Sequence, residues 1–213
     1  MSLKKNKTLE NRSYQFEVRA EQDDKHGSII VGRPIVYGQR TDIGGWYEEV
    51  IERGALDSAD LRDVRFLVNH NVDSIPLARS RNNNANSTMQ LSVDNDGMAI
   101  RVDMDVENNS EARALYSAVQ RGDISGMSFM FSVSGDEWDN LDSDYPTRHI
   151  KGIGKVVEVS AVTFPAYEST EIQARSKEVL DNARLALDSA KEKRDALDSV
   201  EIEKLKARYL YGE

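Results

Sequence analysis

The chain has 213 residues and a formal net charge of −9, from 37 acidic and 28 basic side chains, with three histidines and no cysteine. That acidic balance gives no general electrostatic attraction to nucleic acid or anionic membrane, and the lack of cysteine excludes disulfides, thiolate catalysis and thiolate metal sites together. No long apolar run is present, so neither a membrane span nor a signal peptide is expected; the length suits one domain with an appendage, or two small domains.

The start, Lys4-Lys5-Asn6-Lys7, leads into polar residues and reads as a disordered tail over residues 1–12. From Tyr14 to about Phe164 the chain reads as short strands separated by turns. Tyr14 to Arg19 alternates strictly, Gly27 and Gly32 bracket Ile29-Ile30-Val31, and Asp42 to Tyr47 looks like a loop feeding a further strand. Gly54-Ala55-Leu56-Asp57 is expected to begin a short helix, and Val64 to His70 a strand. Met89 to Val93 and Met98 to Met104 alternate on either side of Asp94-Asn95-Asp96-Gly97, a strong hairpin signal. Asn109 to Gly122 changes to helical spacing, with a cap near Asn109 or Ser110 and a closing glycine. The acidic run from Glu137 to Tyr145 lacks the ligand spacing and glycine of an EF-hand loop and reads as a solvated hairpin loop. From Glu171 to Leu210 there is no proline or glycine, and Val179, Ala183, Leu187, Ala190, Leu197, Val200 and Leu205 fall among charges. That pattern predicts one or two amphipathic helices, roughly 50 to 60 Å long if unbroken. A near-repeat from Ala186 to Ala190 and Ala196 to Val200 departs from a strict heptad and weakens a simple coiled coil.

Three residues stand out against these patterns. In Gly126-Met127-Ser128-Phe129-Met130-Phe131 a hydroxyl lies within a strand whose opposite face carries Met127, Phe129, Phe131 and Val133. His70 ends the Val64-to-His70 run, on the face of Val64, Phe66 and Val68. Glu158 interrupts the apolar segment Val156 to Val162, where a carboxylate is expensive without a partner. Each has an ordinary explanation: a solvent-side serine, a satisfied strand-end histidine, an edge-strand charge. Together they supply a nucleophile, a base and an orienting carboxylate, the minimum inventory for acyl transfer. Backbone amides near Ser128 are candidates for an oxyanion hole, while Gly122 is better explained as a helix C-cap.

The words around these residues are more specific than the residues alone. Gly32-Arg33-Pro34-Ile35-Val36-Tyr37-Gly38, Glu49 to Leu56, Phe66-Leu67-Val68-Asn69-His70-Asn71, the Gly-Met-Ser-Phe of Ser128, and Glu158 to Tyr167 resemble the prohead, or head maturation, proteases of tailed bacteriophages. The resemblance covers roughly residues 13 to 175. It implies His70 as base, Ser128 as nucleophile and Glu158 as third member. Herpesvirus assembly proteases, more distantly similar, use a second histidine, which makes His149 the alternative; Glu158 is preferred because it lies inside the distinctive motif.

The fold implied is α+β: a mainly antiparallel β-barrel catalytic domain over 13–170 with a few helices, then a helical tail over 171–213. Strand count alone would also allow a sandwich. The activity implied is a serine endopeptidase cleaving capsid or scaffold segments, and itself, inside the assembling prohead in the bacterial host cytoplasm. Its expected partners are major capsid protein or scaffold and further copies of itself, with no nucleic acid, membrane, metal or organic cofactor. The competing expectation is a non-catalytic scaffold or capsid-interaction protein with a degenerate site.

Overall fold

The computed structural model describes residues 9–14, 18–163, 176–189, 191–193 and 200. In chain order the strands are β1 (Leu9–Tyr14), β2 (Val18–Asp23), β3 (Gly27–Val36), β4 (Arg40–Ile43), β5 (Tyr47–Ile51), β6 (Arg65–Val68), β7 (Ala78–Arg79), β8 (Met89–Asp94) and β9 (Gly97–Asp103); helix α1 (Ser110–Arg121) follows, then β10 (Gly126–Asp139) and β11 (Thr147–Val162).

They form two sheets, one ordered β1-β10-β11-β5-β4 with β6 and β7 joined to it through β11, the other ordered β2-β3-β9-β8. The long β10–β11 hairpin is the spine. Its ladder runs from Gly126↔Val162 to Asp139↔Thr147, with register shifts around Phe131, Val133 and Gly135; such irregularities bend a strand pair. β11 shares its other edge between two parallel partners: β5 along Thr147 to Ile150, and β6 along Glu158 to Ala161.

The expected β-barrel is not closed. β1 and β4 end the main sheet without pairing to each other, and the four-stranded sheet is a separate ladder. Apolar side chains of both sheets meet instead in one core that includes Ile30, Phe66, Met98, Met127, Phe129, Phe131 and Val159. The α+β class holds, with β-sheet predominating.

The hairpin read at Asp94-Asn95-Asp96-Gly97 is present, with Val93 opposite Met98 and Asp94 opposite Gly97. Gly97 has φ +136°, and a Cβ there would lie 2.0 Å from the Ile35 carbonyl oxygen, so the close approach of β3 requires glycine. The predicted helix is α1: the Asn109 side chain accepts from the Glu111 and Ala112 amides, Gly122 closes it at φ +79°, and Ala112, Leu115, Tyr116 and Val119 form its buried face.

Other expectations change. Gly54 to Asp57 forms successive hydrogen-bonded turns, Ala55 N to Glu52 O and Asp57 N to Gly54 O, each 3.0 Å, in place of a helix. Of the alternation read from Tyr14 to Arg19, Tyr14 ends β1, Val18 and Arg19 begin β2, and residues 15–17 lie outside the described residues. Leu9 to Arg12, read as part of a disordered tail, belong to β1, because they complete a ladder on β10 in which Leu9 faces Ser132 and Tyr14 faces Met127. Residues 176–189 and 191–193 are helical; most of the remaining tail expected to be helical lies outside the described residues.

Candidate active site

Parallel pairing of β6 with β11 sets Leu67 opposite Ser160 and Val68 opposite Ala161. The chain then leaves the strand: Asn69 and His70 both take left-handed backbone, at φ +50° and +57°. For non-glycine residues this conformation is uncommon and persists where surrounding contacts hold it. The Asn69 amide donates to the Ala161 carbonyl at 3.0 Å, the Thr163 amide donates to Asn69 Oδ1 at 2.9 Å, and the His70 amide donates to Ser160 Oγ at 3.1 Å. His70 is therefore held in a turn beyond the strand, where the sequence suggested its last residue.

This turn brings the imidazole onto Glu158, with His70 Nδ1 and Glu158 Oε1 2.5 Å apart. The second carboxylate oxygen accepts from Ser160 Oγ at 2.6 Å. Glu158 is 1% exposed, so burial would be costly without these bonds. An ionised carboxylate only accepts, so the bond assigns the ring proton to Nδ1 and leaves the lone pair of the neutral ring on Nε2. His70 Nε2 is buried and has no hydrogen-bond partner among the described residues. Ser160, which sequence reasoning missed, ties the His70 backbone to the Glu158 carboxylate. Its only sequence signal is its place two residues after Glu158, on the same strand face.

Ser128 lies directly across the β10–β11 ladder from Ser160. Cross-strand partners point to the same side, so Ser128, Ser160 and Glu158 share one face. Ser128 is fully buried, and not on the solvent side that the ordinary explanation supposed. Its Oγ donates to the Arg12 carbonyl of β1 at 2.7 Å, and because Nε2 is without a partner, no hydrogen bond joins Ser128 to His70. A largely apolar cavity of about 480 Å³ adjoins the His70 turn, lined in part by Leu67, Val68, Ile75, Leu115 and Ile124.

The caudovirus prohead serine protease family matches residues 14–184. The chain belongs to that family. It is 31% identical over 164 residues to the prohead protease of Enterobacteria phage HK97, a span that takes in 75% of this chain and 65% of the relative, just under two thirds of that protein's length. Among solved structures, the bacteriophage T4 capsid assembly protease superposes with a TM-score of 0.38 at 12% identity, covering 72% of this chain and 98% of the other.

In this family member His149, the alternative third residue, is placed elsewhere. It lies near the start of β11, opposite Glu137 of β10 and Val50 of β5. Its Nδ1 meets Glu52 at 2.6 Å and its Nε2 meets Asp139 at 3.1 Å, so both nitrogens are engaged by carboxylates.

Next to it, Arg12 and Arg148 form a buried ionic cluster with Glu10 and Glu49. Arg12 donates to both Glu49 oxygens, at 2.5 and 2.7 Å, and to Glu10 at 2.7 Å. Arg148 reaches Glu10 at 2.7 Å, Glu49 at 3.1 Å and Asp136 at 2.8 Å. Burial alone would push the Glu10 carboxyl up, but the two guanidiniums outweigh it and hold it below the ordinary value. Burial would likewise lower both arginines, yet their carboxylate partners raise them. Burial pushes the adjacent Tyr47 hydroxyl up to about 12.

Proposed function

We propose that the protein is a serine endopeptidase of prohead maturation, with Ser128 as nucleophile, His70 as general base and Glu158 as the residue that orients it. The observation that carries this reading is the half-satisfied imidazole: Nδ1 bound to a buried carboxylate, Nε2 buried and open, on the sheet face that also presents Ser128. Ser128 Oγ attacks a peptide carbonyl while Nε2 takes its proton; the imidazolium, stabilised by Glu158, returns that proton to the leaving amine. Water then hydrolyses the acyl-enzyme by the same exchange in reverse, restoring the hydroxyl and the neutral ring.

Membership of the prohead protease family supports the reading that capsid or scaffold segments are the substrates, cleaved within the assembling prohead in the host cell. Self-cleavage and self-association belong to the same proposal. The tail takes the role of delivery. Leu180 buries against Ile43 and Tyr47, and Arg184 bonds the Leu141 and Ser143 carbonyls at 3.1 and 2.7 Å. Residues 176–189 therefore count with the catalytic domain for stability, and the delivery segment begins beyond them.

The test is mass spectrometry of the capsid protein after co-expression. New termini should appear with the wild-type chain and vanish with Ser128→Ala. A scaffold without catalysis predicts no such termini with either, and that result would overturn the reading.

A further inference from the structure

Among the described residues β1 is the terminal strand of its sheet, paired with β10. Its ladder sets Ser13 against Ser128 and Arg12 against Phe129, and the Arg12 carbonyl accepts a hydrogen bond from the Ser128 hydroxyl at 2.7 Å. A peptide carbonyl thus lies at the proposed nucleophile, presented by an extended segment added to a sheet edge, the geometry of β-strand addition. The Arg12 side chain has two partners within β1 itself, Glu10 at 2.7 Å and the Asn11 carbonyl at 2.9 Å, but the pocket it enters is walled by residues outside β1. Its Nε and Nη2 meet the Glu49 carboxylate at 2.5 and 2.7 Å, Nη2 is 3.4 Å from the Tyr47 hydroxyl, and the guanidinium lies 5.8 Å from the Phe131 ring centre. Arg12 is only 3% exposed there. Burying a guanidinium is costly unless paired, and a bidentate carboxylate under an aromatic face suits a planar cation.

We propose that the β10 edge beside Ser128 is the substrate seat, taking an extended peptide antiparallel with an arginine side chain in the Glu49–Tyr47–Phe131 pocket, and that β1 fills this seat in cis. The inference rests on Ser128 being the nucleophile. With β1 seated, the Ser128 hydroxyl donates its hydrogen bond to the Arg12 carbonyl while His70 Nε2 has no partner among the described residues, so the enzyme is latent. A substrate strand must displace β1, and the Arg12–Glu49 contact sets how readily it does so.

The test uses full-length protein and a fluorophosphonate that modifies an activated serine, with Ser128 located by peptide mapping. Arg12→Ala should label at least about tenfold faster than wild type, because a weakened seat raises the open fraction, and Arg12→Lys should fall back toward wild type. A synthetic peptide of residues 9–14 added in trans should slow labelling of Arg12→Ala, while the same peptide with alanine in place of arginine should not. Equal labelling of Ser128 in all three proteins overturns the seat and leaves the nucleophile assignment standing; no labelling of Ser128 in any of them overturns both. Should Arg12→Ala fail to fold, hydrogen exchange on wild type decides: the 9–14 peptide should release β1 amides while β10 stays protected, and unchanged β1 protection overturns the proposal.

Discussion

The two ends of β11 carry similar inventories to different effect. Near its start, Arg148 and His149 meet acidic side chains on every side: Arg148 contacts Glu10, Glu49 and Asp136, and His149 is held between Glu52 and Asp139. Near its end, Glu158 meets one histidine, and that histidine keeps a buried nitrogen without a partner. The first arrangement is saturated and holds strands together; the second is saturated on one side of the ring and open on the other. A half-buried histidine with one buried, open nitrogen can accept a proton there, while one engaged by carboxylates at both nitrogens is committed to the fold.

The largest effect should come from removing the open side. Ser128→Ala and His70→Ala should each cut peptide-bond cleavage by about 10⁶-fold, and the double variant should be scarcely worse, because such residues act as a unit. Initial rates on a capsid-derived peptide measure this; additive losses in the double variant would separate the two residues. Next, Glu158→Gln should lower turnover by about 10⁴-fold, since the carboxamide no longer enforces the Nδ1–H tautomer. Retention of near-normal turnover would show that the ring is oriented by something else.

At the saturated end the loss should be in stability. Arg148→Ala leaves Glu10 and Glu49 buried with Arg12 as their one remaining cation in the cluster, and should cost about 3–5 kcal/mol in urea unfolding. The same cluster should weaken in acid. Glu10 is held below its ordinary value near 4.5, so its contribution is complete above that pH and is lost as pH falls through the lower folded value. The stability gap between wild type and Glu10→Gln should therefore be wide at about pH 6 and narrow at about pH 3; a constant gap would place Glu10 outside the linkage. The smallest change is expected for His149→Ala, whose partly exposed ion pairs contribute about 1 kcal/mol or less and which should keep cleavage within about tenfold of wild type. A loss matching that of Glu158→Gln would reverse the roles of the two ends.

Local signals in the sequence were enough for the elements they govern. The Asp94-to-Gly97 turn and the Asn109 and Gly122 caps fix the β8–β9 hairpin and α1, because turn chemistry and capping act within a few residues. Period-two alternation placed Met127, Phe129 and Phe131 in the core, and the cost of a carboxylate among apolar neighbours marked Glu158 as needing a partner. The identity of that partner depended on pairing. Only the parallel β6–β11 register and two left-handed residues bring His70 onto Glu158 and leave His149 elsewhere, and these contacts span 88 and 97 residues of chain. Sheet closure was likewise undecided by strand count, since a barrel and two packed sheets use the same alternation and differ in which edges meet. Leu9 to Arg12 carry too little local preference to declare a strand; the unpaired edge of β10 and a buried carboxylate at Glu49 make them one, because hydrogen bonds and charge pairing from distant residues stabilise what the segment alone does not.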